Sequence, residues 1–177
     1  MVVWNLPADW TPWIACLASH LHARLAWRLA PLLLGIVFAR GRRTVASWLR
    51  AAGIGRAFPA YYYFLARVGR AAQAIAGSLL RLLLRTIPLG DRLLFGLDDS
   101  PTPRYGRKVQ GAGIHHNPTS GPTDQKVLYG HLWVTLAWLV RHPRWGTLGL
   151  PVLAFLYVRQ KDLAKIPARY GIRPSFS

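Results

Sequence analysis

The chain contains no glutamate, and its only acids are Asp9, Asp91, Asp98, Asp99, Asp124 and Asp162. Against these six stand 23 lysines and arginines, leaving a formal net charge of +17. Most of the cations are arginine, whose planar fork binds phosphate bidentately, and they run along the whole chain instead of collecting in a tail. A polyanionic partner follows, with nucleic acid first and anionic lipid second.

Cysteine is nearly absent as well. Cys16 stands alone, which excludes an internal disulfide and a thiolate metal site. Long apolar runs are missing too: Leu29 to Ala39 is closed by Arg28 and Arg40, while Leu148 to Val158 contains Pro151 and stops at Arg159. Neither reaches the roughly 18 apolar residues of a membrane span. No basic segment followed by an apolar one opens the chain, so no signal peptide is expected, and a cytoplasmic, nucleoid-associated location is.

Enough apolar residues are present, at 52%, to build a packed core in 177 residues. Residues 13 to 39 carry Leu, Ala, Ile and Trp at helical spacings and predict a helix broken at Pro31. The basic run Arg40-Gly41-Arg42-Arg43 then leads into Thr44, a good N-cap. Val45, Trp48, Leu49 and Ala52 share one helical face, and Gly53 stops the helix. This short basic helix suits either one half of a helix-turn-helix on DNA or a packing helix with solvated arginines.

Tyr61-Tyr62-Tyr63-Phe64 opens a further helical segment through residue 87, and four adjacent aromatics there read as core. At Pro88-Leu89-Gly90-Asp91 the pattern changes. Leu93 to Leu97 predicts a short buried strand, closed by the turn residues Asp98-Asp99-Ser100-Pro101. Residues 100 to 126 read as a long loop carrying Arg104, Arg107 and Lys108. Two more strands, Tyr129 to Val140 and Thr147 to Val158, flank turn chemistry at 141–146 and complete a three-stranded meander. The class is α+β, with a helical region over 1–90 and the sheet over 91–177.

Chemistry narrows to few candidates. Two carboxylates at a strand end could form half of a magnesium site, because Mg²⁺ takes oxygen ligands and phosphoryl transfer uses two ions. Neighbouring strand residues face opposite ways, so Asp98 and Asp99 cannot both reach one ion from a regular strand. Taken alone, Asp-Asp-Ser-Pro reads first as a turn whose carboxylates cap local N–H groups. His115, His116, His131 and His142 fit no zinc spacing and are expected to be solvated loop residues. Gly106 and Gly111 lack the P-loop lysine, since Ala112 stands in its place, and no nucleophile elbow occurs. No small-molecule cofactor is expected.

The run Leu93-Leu94-Phe95-Gly96-Leu97-Asp98-Asp99-Ser100-Pro101-Thr102-Pro103-Arg104-Tyr105-Gly106 resembles the first catalytic strand of insertion-sequence transposases with a DDE, RNase H-like nuclease domain. The resemblance continues through Gly111 to Pro118, Tyr129 to Ala137 and Trp145 to Pro151, and reaches back to Arg42 to Gly53. It covers roughly residues 35 to 166. It implies a DNA-contacting helical region, then an RNase H-like sheet in which two Asp and one Glu hold two Mg²⁺ for strand cleavage and transfer. The residue matching the invariant ligand is Asp98, with Asp99 the secondary candidate.

Arg40, Arg42, Arg43, Arg50, Arg104, Arg107 and Lys108 are the implied DNA contacts, with transposon ends as partner. The chain departs from the pattern because it has no Glu. The expectation is the first three strands of an incomplete domain: a truncated transposase, inactive alone and dependent on a full-length relative. A non-catalytic protein occupying transposon ends is the second reading, and a membrane-surface protein the third.

Overall fold

The computed structural model describes residues 7–88, 90, 92–106, 109–117, 126–163 and 166. Among them the elements run α1 (Trp10–Ala18), α2 (Ala23–Ala26), α3 (Leu29–Phe38), α4 (Val45–Ala51), α5 (Phe58–Arg70), α6 (Ala72–Thr86), β1 (Leu94–Pro103), β2 (Gly113–His116), β3 (Val127–His142), β4 (Gly146–Tyr157) and α7 (Gln160–Leu163). Helices come first and strands follow, an α+β arrangement. The chain divides into two compact units, Met1–Leu89 and Gly90–Ser177.

In the helical unit, Leu29 and Leu32 of α3, Leu49 of α4, and Tyr61 and Phe64 of α5 form the buried core. Ile14 and Leu17 of α1 and Trp48 of α4 pack against it. Leu49 and Phe64 are fully buried, each contributing about 1.5–3 kcal/mol from apolar burial. The helix at Val45 begins as expected: the Thr44 hydroxyl accepts the Ser47 N–H at 3.2 Å. Gly53 leaves it in the left-handed region at φ 73°.

Two helical expectations are corrected. The chain breaks at Ser19–His22, not at Pro31, which sits in the first turn of α3. A proline there sacrifices no hydrogen bond, because first-turn N–H groups have no intrahelical acceptor. At the real break His22 caps α2, its Nδ1 accepting the Arg24 N–H at 3.2 Å. The segment opened by the tyrosines is two helices joined at Ala71, and only Tyr61 and Phe64 of its four aromatics are buried. Tyr62 and Tyr63 are exposed.

In the second unit β3 is central. β1 pairs with it antiparallel over Leu94–Pro103, and β4 over Gly146–Tyr157. Gly130 pairs with both Pro103 and Gly113, so β1 and β2 lie on opposite edges of β3. A bulge falls at Pro151–Leu153 opposite Leu136–Ala137, where the extra residue, Val152, is buried. The expected three-stranded meander is present, and β2 adds a fourth strand inside the segment read as loop.

The strand around the paired acids also differs from expectation. It does not end in a turn at Asp98–Pro101 but continues to Pro103, and Leu94, Phe95 and Leu97 are exposed, not buried. Proline is tolerated because β1 is an edge strand. Pro101 and Pro103 are two apart, so their nitrogens share one side and face away from β3.

Candidate functional site

Register fixes the surroundings of the two acids. Asp98 lies opposite Thr135 of β3, which lies opposite Ala154 of β4. Its strand neighbours on that face are Gly96 and Ser100. Asp99 lies opposite Val134 and, beyond it, Phe155, and shares its face with Leu97 and Pro101. Asp98 thus stands among small and polar groups, Asp99 among apolar ones, on opposite sides of the sheet. Both are exposed.

The basic candidates fall on both units. Arg40, Arg42 and Arg43 are brought together in the short connection between α3 and α4, all exposed and directly before the capped start of α4. Arg50, exposed on α4, holds its guanidinium 5.7 Å from the centre of the Phe58 ring. In the sheet unit Arg104 follows β1 and is half-buried. Its Nε donates to His131 Nδ1 at 3.2 Å, and its backbone N–H donates to the Tyr129 carbonyl at 3.0 Å. Arg107 and Lys108 lie outside the described residues.

The histidines are not solvated loop residues as a group. His115 is buried on β2, and burial first, then the Arg159 guanidinium, holds its imidazole below the ordinary value. His131 lies on β3, where its Nε2 meets the Gln110 carbonyl oxygen at 2.8 Å. His142 ends β3, accepts the N–H groups of Arg144 and Trp145 at 3.2 Å, and stacks on the Trp145 ring at 4.3 Å. These are structural roles that polar loop composition concealed.

Beside β2, Arg159 and Asp162 form the ion pair seen among the described residues, with Nε donating to the carboxylate at 2.7 Å. Arg159 Nη1 also donates to the Ile114 carbonyl at 2.9 Å, tying α7 to the edge of the sheet. This pair lines a cleft with Gly111 and Gly113.

Mg²⁺ requires near-octahedral oxygen ligation, and a two-ion site needs several converging carboxylates. The residues present do not meet that requirement. Asp98 and Asp99 diverge, the sequence supplies no Glu, and no group of three His, Cys, Asp or Glu converges among the described residues.

An arginine-rich helical unit followed by an antiparallel sheet with paired acids on its outer strand suits a protein that works on a polyanion. Residues 16–146 match the DDE superfamily endonuclease family, and the chain belongs to it. The match spans the core helices, the Arg40–Arg50 region, β1 with both acids, and β3. A search of curated proteins and one of solved structures returned no match. Members of this family are nucleases of the transposase type, act on DNA and generally depend on divalent metal.

Proposed function

We propose that the chain serves DNA transposition by supplying DNA contacts and one ligand strand of a DDE-type transposase. It does not cut DNA by itself. The observation that carries this is the family match over residues 16–146 in a chain whose sequence has no Glu and whose described residues bring no three His, Cys, Asp or Glu together. Asp98, on the face lined by Gly96, Ser100 and Thr135, is the better placed metal ligand, and Asp99 serves the strand. In this reading a full-length transposase supplies the further carboxylates. We place the protein at the nucleoid, on the ends of its element.

Arg40, Arg42, Arg43 and Arg50 give the helical unit its first DNA contact. The test is a retardation and nicking assay with the purified chain on duplexes carrying the element's ends and on unrelated duplexes. We expect end-selective retardation, weakened by Arg42→Gln/Arg43→Gln, and no strand cleavage with Mg²⁺ or Mn²⁺. Metal-dependent cleavage by the chain alone, lost on Asp98→Asn, would overturn the proposed incompleteness. Absence of any DNA retention would overturn the reading entirely.

A further inference from the structure

A cleft of about 430 Å³ opens in the helical unit between the turn joining α1 to α2 and the C-terminal half of α5. His20 and His22 reach it from the turn, and Tyr63, Arg67 and Arg70 from α5. Spacings of four and three residues put those α5 side chains on one helical face.

The donors are held in place before any ligand arrives. Arg67 Nη2 donates to the Tyr63 hydroxyl at 2.6 Å, and its guanidinium lies 5.1 Å from the centre of that ring. His20 Nε2 is 2.7 Å from the hydroxyl of Ser78, a buried residue of α6, which anchors the turn. The charges of Arg67 and Arg70 both pull the Tyr63 phenol below its ordinary value, the Arg67 hydrogen bond being the largest cause.

Among the described residues of the helical unit no carboxylate neutralises this cluster. The single acid in residues 1–89 is Asp9, at the opposite end of α1. Nine helical residues separate it from the turn, about 13 Å of rise. Two guanidinium groups outweigh the partial negative charge of the α5 C-terminus. Convergent cations and a phenol without a counter-charge form a receptor for a phosphate oxyanion. The exposed Tyr63 ring adds a face on which a sugar or base can rest.

We propose that this cleft seats a backbone phosphate of bound DNA, through Arg67 and Arg70 with His20 and His22. It is a second anchor carried by different elements from Arg40–Arg50. The inference rests on the DNA reading above but concerns separate residues.

The experiment is anisotropy of a short labelled duplex titrated with the full chain across about 50 to 200 mM salt. Four proteins are compared: the parent, Arg67→Gln/Arg70→Gln, Tyr63→Phe and Arg81→Gln/Arg85→Gln. The last pair removes the same charge from α6, outside the cleft lining.

Loss of this phosphate contact should weaken binding about tenfold and lower the slope of log affinity against log salt by about 1, on every duplex sequence. Tyr63→Phe, which frees the Arg67 fork but keeps the charge, should weaken binding less. The α6 pair should change the slope by less than half as much as the cleft pair. Circular dichroism of each variant should match the parent, since the four arginines are exposed.

Equal effects from the two arginine pairs would reduce the cleft to general charge and overturn the site. So would an unchanged slope in the cleft variant while the parent binds. Failure of the parent to bind DNA would overturn the DNA reading and the anchor together. Retention on phosphatidylcholine–phosphatidylglycerol vesicles that the cleft variant loses, with DNA binding intact, would assign the cleft to lipid headgroups instead.

Discussion

The backbone carbonyl of Trp48 on α4 occupies the position that a side-chain carbon on Gly35 of α3 would take. The two helices therefore meet backbone to backbone, and Gly35 is buried at the meeting point. Gly35→Ala must push α3 from α4 and loosen Leu32 and Leu49 at the centre of the core. A loss of about 1–3 kcal/mol is expected, read as a lower denaturation midpoint of the helical unit. An unchanged midpoint would show that the helices do not approach this closely.

Ala57, immediately before α5, has φ 65° and is the non-glycine residue with positive φ among the described residues. A side chain there costs about 1–2 kcal/mol, whereas glycine adopts the conformation freely. Glycine loses part of that advantage through a more disordered unfolded chain. Ala57→Gly is thus expected to stabilise the helical unit by about 0.5–1 kcal/mol, net of that loss. A lower melting temperature would contradict it.

Much of this architecture is readable along the chain, for identifiable reasons. Thr44 and Gly53 bracket α4 because capping and a left-handed stop are local chemistry. The turn at Pro143–Trp145 separates β3 from β4 for the same reason. What escapes is settled at a distance. Asp98–Pro101 has turn composition, yet it is strand because an edge position leaves prolines unpunished. β2 is four residues in a polar stretch, made a strand by its pairing with β3. The Tyr63–Arg67–Arg70 cleft requires a turn some forty residues upstream, and no local signal links the two.

Leu97 is 72% exposed on the outer strand, next to exposed Leu94 and Phe95. An uncovered apolar edge strand is a template for association between chains. Leu97→Lys should raise the concentration at which the isolated chain stays monomeric, with a melting temperature within about 2–4 °C of the parent's for an exposed substitution. Sedimentation velocity across a concentration series measures it. Unchanged self-association would move the sticky surface elsewhere.

His115 gives the sheet unit a pH dependence whose sign can be worked out. Burial, then the charges of Arg159 and His131, hold its imidazole below the ordinary 6.5, while a Gly130 backbone bond and the Asp162 carboxylate oppose them. The folded state therefore binds the proton less tightly than the unfolded state. Its contribution is fully present above pH 6.5, the unfolded value, and is lost as the pH falls through the depressed folded value. The unfolding midpoint should drop on acidification below neutrality, and His115→Gln should flatten that drop. Titration of the His115 ring proton by NMR should give a midpoint under 6.5, and one above it would refute the assignment.

The two acids make the last and most specific prediction. Neighbouring positions on β1 give Asp98 a face of Gly96, Ser100 and Thr135, and give Asp99 a face of Leu97, Pro101 and Val134. A divalent ion needs room for water and further oxygen ligands, which the first face offers and the second does not. In a strand-cleavage assay that includes a catalytically complete DDE-type transposase, the substitutions should separate. Asp98→Asn should reduce strand cleavage by at least about a thousandfold, as loss of a direct metal ligand does, whereas Asp99→Asn should leave most of it. Mn²⁺ rescue of a cysteine at position 98, and not at 99, would fix the ligand independently, because a thiolate prefers the softer ion. Equal losses from both asparagine variants would mean that strand register does not decide the ligand.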